Sequence, residues 1–157
     1  MKIKLLLNGK TNDKVLQELS DRYVKRIKGF TGLEVEVIPD LKNTKHLSPE
    51  QVKDKEAKLI LDRLNASDFV VLLDEKGKEF TSEQFAAFLQ KQMNSGIKNL
   101  LFVVGGAYGF SEAVYKRANY KLALSQMTFS HQLVRVIFLE QLYRGLAILN
   151  HHPYHNP

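Results

Sequence analysis

Short apolar runs alternate with helix-like stretches along the whole chain, and this alternation restricts the fold more than any other feature of the sequence. The runs cover residues 2–7, 33–38, 69–73, 100–104 and 120–124. Two of them, 69–73 and 100–104, are apolar without interruption, which is typical of strands covered on both faces. The alternation predicts an α/β fold with a mostly parallel sheet and helices on both faces, and we expect a single domain spanning residues 1–157.

Two helix starts are marked by pairs of capping residues. Ser48 precedes Pro49 and stands three residues before Gln51, and Thr81 stands three residues before Gln84. A hydroxyl at the N-cap and an amide three residues later can each accept a hydrogen bond from the other's backbone N–H group. These spacings predict helices that begin directly after Ser48 and Thr81.

A long helix is predicted over residues 131–150, and its apolar side chains lie nearly all round its circumference. They are Leu133, Val134, Val136, Ile137, Phe138, Leu139, Leu142, Tyr143, Leu146, Ile148 and Leu149. A helix that is apolar on every side must be buried on every side. Two arrangements satisfy this condition: contact with a second subunit in a homodimer, which we expect, and a central position in the core of a monomer.

The composition limits both the chemistry and the surroundings of the protein. The 157 residues include no cysteine, which excludes disulfides, thiolate metal sites and cysteine nucleophiles. The apolar run at the N-terminus is too short for a secretion signal, and no stretch is long enough to span a membrane. We therefore expect a cytoplasmic protein with no membrane association. The net charge of +6 permits a polyanionic partner without requiring one.

Glycines follow the fourth apolar run directly, in the loop that begins with Gly105 and Gly106. Ligands of α/β folds bind at the carboxyl ends of the strands, and glycine lets a ligand approach the backbone closely. The spacing matches neither the dinucleotide fingerprint nor the phosphate-binding loop, and a plain tight turn is the alternative. If the loop binds a ligand, a branched side chain at Gly106 is expected to fill the crevice.

Two neighbouring strand ends supply polar loops. Residues 74–78 form a charged segment after Leu73, and residues 124–131 place hydroxyls, an amide and His131 between the last strand and the last helix. Each loop has a simpler interpretation, as a surface turn and as a helix N-cap at Thr128 or Ser130. Because parallel strands end at one edge of the sheet, all three loops can line the same crevice.

Charged residues and histidines near the C-terminus are further candidates. Arg135 and Arg144 lie on the last predicted helix, where a buried guanidinium needs a carboxylate or phosphate partner. Glu140, four residues before Arg144, offers a structural partner in place of a ligand. Residues 151–155 contain three histidines, but their spacing fits no metal motif, and we predict no metal site. This tail is expected either to fray or to contact bases.

Taken together and in order, these motifs resemble a known family. The matching segments are the first strand, Leu73-Asp74 with Gly77-Lys78, the glycine loop, residues 124–131, Val134-Arg135-Val136, residues 140–144 and Pro153-Tyr154-His155. Over essentially its full length the chain is similar to the small SPOUT-class enzymes that methylate N3 of a pseudouridine in large-subunit (23S) ribosomal RNA. The resemblance implies an S-adenosylmethionine-dependent methyltransferase with a C-terminal trefoil knot, which acts as a homodimer with composite active sites on the assembled ribosome.

The resemblance also implies the roles of individual residues. The cofactor-binding residues would be Leu73, Gly105, Gly106, Leu124, Ser125, Gln126, Met127 and Thr128. The catalytic residues facing the target base would be His131, Arg144, Tyr154 and His155. Either histidine could take the proton from the base. The chain departs from the family at Ser130, where proline is usual, and at Asn156-Pro157, where a basic residue usually follows Tyr-His.

Two other functions are compatible with the same residues. A non-catalytic RNA-binding or ribosome-associated module could use the basic surface, and a nucleotide-dependent enzyme of flavodoxin-like fold could use the crevice. Only the methyltransferase requires S-adenosylmethionine, so the identity of the cofactor distinguishes the three.

Overall fold

The computed structural model describes all 157 residues and contains five strands and five helices that alternate along the chain. They are β1 (Lys2–Asn8), α1 (Lys14–Ile27), β2 (Leu33–Ile38), α2 (Pro49–Leu61), β3 (Phe69–Glu79), α3 (Ser82–Asn94), β4 (Asn99–Val104), α4 (Glu112–Arg117), β5 (Tyr120–Ala123) and α5 (Leu133–Leu149). The alternation predicted from the sequence is confirmed. None of the five helices combines the length and apolarity that a membrane span needs.

All five strands are parallel and form one sheet in the order β2-β1-β4-β3-β5. Helices α1, α3 and α5 cover one face, around a core that includes Phe102 and Phe138. Helices α2 and α4 cover the other face, where Leu101 and Val103 are buried. The predicted α/β class is confirmed, and the apolar runs are uninterrupted because both faces of the central strands are buried.

Strand β3 is longer than the sequence predicts. The charged segment that begins at Asp74 was expected to end it, but the strand continues to Glu79 and pairs with β5 a second time after a bulge. A Cβ at Gly77 would lie only 2.6 Å from the backbone of Lys121, so this close pairing requires glycine. The prediction was wrong because β4 has already ended at this point, and the charged side chains of the extension reach solvent.

Both predicted capping boxes are present. Ser48 Oγ accepts a hydrogen bond from the Gln51 N–H group at 3.2 Å, and the Gln51 side chain accepts one from the Ser48 N–H group at 2.8 Å. Thr81 and Gln84 form the same reciprocal pair at 3.1 and 2.9 Å. Helices α2 and α3 therefore begin where the sequence predicts.

Helix α5 lies centrally on one face of the sheet. It begins at Leu133 rather than at residue 131, and nine of its 17 residues are buried within one chain, between α1, α3 and the sheet. A central position in the core of one chain therefore explains much of its apolar circumference. A row on the remaining side is only half-buried, and it consists of Val134, Ile137, Gln141, Arg144 and Ile148.

Residues 124–132 carry the chain from β5, at one edge of the sheet, across the ends of β3 and β4 to β1. At the far side, the Gln132 side chain donates a hydrogen bond to the Lys10 carbonyl at 3.1 Å and accepts one from the Asn12 N–H group at 2.8 Å. On the way, the Thr128 hydroxyl donates to Glu75 at 2.8 Å. This crossing places the third loop over the carboxyl ends of the strands before α5 begins.

Candidate active site

The carboxyl ends of β3, β4 and β5 surround an open crevice of about 390 Å³. All three predicted loops line it, so their predicted convergence is confirmed. The predicted site residues in its lining are Leu73, Gly105, Gly106, Leu124, Ser125, Met127, Thr128 and His131. Gln126 belongs to the same loop but is exposed and lies outside the lining.

The first loop supplies an acidic wall. Asp74 and Glu75 line the crevice, and the Tyr115 hydroxyl donates a hydrogen bond to Asp74. Burial, and then the Asp74 carboxylate, raise the pKa of Tyr115, so its hydroxyl keeps its proton and holds Asp74 in place. The bond from Thr128 to Glu75 ties this loop to the third one. Lys53 and Lys76 line the same crevice, so its lining offers partners for both the positive and the negative groups of a ligand.

The glycine loop forms the second wall, and the structure gives each glycine its own reason for lacking a side chain. A Cβ at Gly105 would lie 3.0 Å from the Phe110 ring, and a Cβ at Gly106 would lie 2.6 Å from Glu56 Oε2 on α2. A side chain at Gly106 would therefore meet Glu56 behind the loop. The expectation that a branched side chain there fills the crevice stays a prediction.

Glu56 is itself unusual for a carboxylate. Its Oε1 atom is buried without a hydrogen-bond partner, and burial raises the pKa of the Glu56 carboxyl group above its usual value. The Glu56 side chain occupies the space immediately behind Gly106. It therefore fixes how close the glycine loop can lie to α2, and with it the width of the crevice.

The third loop offers backbone donors. The N–H groups of Ser125, Gln126 and Thr128 donate hydrogen bonds to no group of the chain, and are free to bind a ligand. Ser130 Oγ accepts a hydrogen bond from the Leu133 N–H group at 3.0 Å. This bond stabilises the turn directly before α5, but the N-cap residue of the helix is Gln132, so the expected N-cap at Thr128 or Ser130 is wrong.

His131 lies between the third loop and α5. Burial, and then the positive charge of Arg135, lower the pKa of His131, and the Asp40 carboxylate opposes them. The imidazole is therefore neutral near pH 7 and can accept a proton. Its ring makes no hydrogen bond within the chain, although it lines the crevice.

Arg135 is completely buried, and its partners are neutral. Its guanidinium donates hydrogen bonds to the His131 carbonyl at 3.0 Å, to Thr11 Oγ1 at 2.9 Å and to the Asn8 carbonyl at 2.9 Å. It forms no ion pair, so the expectation of a carboxylate or phosphate partner is wrong for this residue. Oxygen atoms of three residues take the place of water around its guanidinium, and burial lowers the pKa of Arg135.

Arg144, Tyr154 and His155 gather round Glu140 in what we call the tail cluster. Arg144 Nη2 lies 2.8 Å from Glu140 Oε1, and Arg144 Nη1 lies 3.1 Å from His155 Nδ1. The Tyr154 hydroxyl donates to the same carboxylate at 2.9 Å, and its ring centre lies 4.7 Å from the Arg144 guanidinium carbon. The predicted structural pair of Arg144 with Glu140 is confirmed, and the tail is an ordered part of the fold.

These contacts restrict the protonation of the tail cluster. Because arginine has no acceptor, the contact from Arg144 uses the lone pair on His155 Nδ1, and the proton lies on Nε2, 3.6 Å from Glu83. Burial, and then the hydrogen bond to Glu140, raise the pKa of Tyr154 to about 12. Pairing with Glu140 raises the pKa of Arg144. Near neutral pH, Arg144 is therefore charged and Tyr154 is neutral.

The crevice and the tail cluster are separate within one chain. None of Arg144, Tyr154 and His155 lines the crevice. From Leu133 to Arg144, α5 rises about 16 Å at 1.5 Å per residue. The structure thus brings His131 together with the predicted cofactor residues and holds the other three predicted catalytic residues apart from them.

The sequence did not point to three residues that shape the crevice. Glu56 lies on α2 behind Gly106, while Tyr115 and Phe110 line the crevice from α4 and the segment before that helix. All three look like ordinary helix or loop residues in the sequence, and no local spacing marks them. The structure also contains no group of three or more histidine, aspartate and glutamate side chains that could hold a metal ion.

The parallel α/β fold and the crevice between three loops fit one class of protein. The chain matches the family described as "Predicted SPOUT methyltransferase" over residues 1–155, and it belongs to this family. The predicted family, its fold and its assignment as a methyltransferase are thereby confirmed.

Named relatives narrow the comparison. The chain is 56% identical over 156 residues to a Flavobacterium johnsoniae protein named "Ribosomal RNA large subunit methyltransferase H", with 99% of each chain covered. Proteins of the same name from Parabacteroides distasonis and Porphyromonas gingivalis are 55% and 50% identical, with the same coverage. A solved structure of a probable methylase family protein from Haemophilus influenzae matches in fold, with a TM-score of 0.51 at 10% identity. That match covers 95% of this chain and 66% of the other.

Proposed function

We propose that this protein transfers a methyl group from S-adenosylmethionine to N3 of a pseudouridine in large-subunit (23S) ribosomal RNA, within the assembled ribosome. The observation that carries the proposal is the crevice that three loops form at the strand ends of a SPOUT-family chain. The names of relatives that are 50–56% identical over almost the whole length support the ribosomal substrate. The whole chain, residues 1–157, would act as one domain, in the cytoplasm where ribosomes work.

The crevice has the size and chemistry that S-adenosylmethionine requires. Its volume of about 390 Å³ lies in the range of small-molecule sites. Leu73 and Leu124 supply apolar walls for an adenine ring, and the free N–H groups of the third loop supply donors. Asp74 and Glu75 supply negative charge for a cationic ligand. These residues would hold the cofactor, which supplies a methyl group made electrophilic by its sulfonium.

The remaining tasks are to position the target base and to remove its proton. We assign proton removal to His131, because its neutral ring lines the crevice and makes no other hydrogen bond. His155 is less suited, since its Nδ1 lone pair already accepts from Arg144. Arg144 and Tyr154 would hold the base and stabilise the negative charge that develops on it.

These two groups of residues can act together only in a dimer. The tail cluster lies about 16 Å along α5 from the start of the helix, and it cannot reach the crevice of its own chain. The half-buried row on α5 provides a surface for a second copy. Antiparallel packing of two α5 helices along this row would bring each tail cluster toward the beginning of the other α5, where His131 lies.

Two measurements test the proposal. Calorimetric titration with S-adenosylhomocysteine should show binding, and labelled S-adenosylmethionine should transfer methyl to assembled ribosomes but little to protein-free ribosomal RNA. Ribosomes that carry uridine in place of the target pseudouridine should react poorly. Equal rates on ribosomes and on free RNA would contradict the ribosomal substrate. RNA binding without methyl transfer would instead identify a non-catalytic RNA-binding module.

A further inference from the structure

A second, shallower opening, of about 610 Å³, lies away from the crevice, between the end of α1, helix α5 and the tail. Its lining combines cations with flat rings. The residues that define it are Arg22, Lys25, Arg26, Phe30, Tyr143 and His152. The proposed methyl transfer uses none of them.

The three cations of this opening have no carboxylate partner in the chain. Arg22, Lys25 and Arg26 are exposed and take part in no ion pair and no side-chain hydrogen bond, whereas Arg63 pairs with Glu36 at 2.7 Å. The helix dipole favours the two cations in the last turn of α1, but it does not account for Arg22 on the same face one turn earlier. Three unpaired cations round one concave surface attract an anion.

Aromatic rings form the floor of the opening. Tyr143 is buried there, with the Phe30 ring 5.8 Å away and the Arg26 guanidinium 5.9 Å from its centre. The His152 ring stands edge-on to Phe30 at 5.8 Å. Cations beside the half-buried Phe30 ring and the exposed His152 ring match a nucleotide, whose phosphate and base need these two kinds of contact.

The opening adjoins the tail cluster. The Tyr143 ring on its floor packs against the Tyr154 ring, with 4.7 Å between their centres. Tyr154 in turn bonds to Glu140, the centre of the tail cluster. An RNA strand whose target base lies at the tail cluster can therefore also contact this opening.

We propose that this opening binds a nucleotide of the ribosomal RNA next to the target base, with Arg22, Lys25 and Arg26 contacting phosphates and the aromatic rings contacting the base. The inference rests on the proposed function and adds to it a contact surface for single-stranded RNA. Shape and phosphate contacts outside the crevice would then supply much of the affinity for the ribosome.

The test compares two variants with equal changes in charge. One carries Arg22→Ala, Lys25→Ala and Arg26→Ala, and the control carries Lys58→Ala, Lys91→Ala and Lys98→Ala, which are exposed lysines away from the opening. With assembled ribosomes, the first should raise KM by about tenfold or more and change kcat little. The slope of the logarithm of affinity against the logarithm of salt concentration should become shallower by about 0.7 for each phosphate that the variant no longer binds. Binding of S-adenosylhomocysteine, dimerisation and melting temperature should match those of the control.

Equal changes in KM for the two variants would overturn the proposal, because they would reflect net charge alone. Loss of dimerisation in the first variant would overturn it too, because the surface would then contact a second copy. Direct binding of a fluorescein-labelled oligouridylate gives a readout independent of methylation. If the wild-type protein methylates no ribosome, the proposed function fails, but weaker oligouridylate binding by the first variant alone would still support an RNA surface. Equal oligouridylate binding by both variants would contradict it.

Discussion

The crevice at the strand ends and the tail cluster beside α5 differ in how far the chain satisfies their polar groups. In the crevice, three backbone N–H groups of the third loop and the ring of His131 have no partner within the chain. In the tail cluster, Glu140 accepts hydrogen bonds from Arg144 and Tyr154, and His155 bonds to Arg144. Free groups are available to bind a ligand, whereas bonded groups keep a fixed geometry. The crevice therefore has the character of a binding site, and the tail cluster that of a preorganised positioning site.

The two regions also differ in how the chain builds them. Three loops from neighbouring parallel strands make the crevice, whereas one helix and the seven residues after Asn150 make the tail cluster. Helix α5 joins them and at the same time keeps them about 16 Å apart. Each chain thus holds two incomplete halves of the proposed site, and the predictions that follow test whether a second copy joins them.

The largest effect is expected when two inactive variants are mixed. Ser125→Trp should block the crevice, and Arg144→Ala should disrupt the tail cluster, so that each variant alone loses methyl transfer. After the subunits exchange, half of the dimers are mixed, and one of the two sites in each mixed dimer is intact. Activity should therefore recover to about a quarter of the wild-type value.

The measurement is methyl transfer to ribosomes after unfolding and refolding the two variants together. The control is the same mixture refolded separately and combined afterwards. No recovery in the co-refolded sample would mean that the crevice and the tail cluster act together within one chain, which would contradict the site shared between two subunits.

The second prediction concerns the glycine loop. Gly106→Val should weaken S-adenosylhomocysteine binding by about a hundredfold, because its side chain meets the Glu56 carboxylate and pushes the loop into the crevice. Adding Glu56→Ala should restore at least about tenfold of the lost affinity. Gly32→Ala is the matched control, since a Cβ there meets nothing within 4 Å. If the second substitution restores nothing, the added side chain fills the crevice itself.

The third prediction concerns the tail. Truncation after Asn150 should reduce turnover by at least about tenfold, because the Tyr154 ring can no longer stack on the target base, a contact worth roughly 1–3 kcal/mol. Dimerisation and cofactor affinity should survive, while the melting temperature should fall slightly, since Tyr154 packs on Tyr143. Tyr154→Phe keeps the ring and should retain most of the turnover. Full activity after truncation would show that the tail is passive, and loss of all three properties together would show that it is structural.

The smallest expected effect is a change in the pH dependence of methyl transfer, which tests whether His131 or His155 accepts the proton. Because burial and Arg135 lower the pKa of His131, its ring takes up a proton only below the ordinary value of about 6.5. The rate of methyl transfer should therefore be constant near pH 7 and fall as the pH drops through that lowered pKa. His131→Gln should abolish this acid limb, and His155→Gln should leave it in place.

Asp40→Asn sharpens the same measurement. The Asp40 carboxylate raises the pKa of His131, so its removal should move the acid limb to still lower pH. If His155→Gln abolishes the acid limb and His131→Gln does not, His155 in the tail cluster accepts the proton. If the acid limb is unchanged in every variant, another group accepts the proton.

The sequence by itself determined the parts of this protein that depend on local chemistry. An uninterrupted apolar run indicates a strand that is covered on both faces, so the alternating fold could be predicted. A hydroxyl three residues before an amide indicates the start of a helix, so both capping boxes could be predicted. The convergence of three loops followed from one rule, that parallel strands end at the same edge. The individual loop motifs were too short to name a function, and their order along the chain supplied the resemblance to a family.

Only the tertiary structure decided which distant residues meet. Arg135 finds its oxygen partners in Asn8 and Thr11, which stand 127 and 124 residues away, and Glu56 sets the position of Gly106 from another helix. The extension of β3 likewise depends on where its neighbour β4 ends. Such contacts leave no periodic pattern or fixed spacing in the sequence, because they form between elements that are far apart along the chain. The same reason explains why the sequence placed His131 and Arg144 in one site, while the length of α5 holds them apart in each chain.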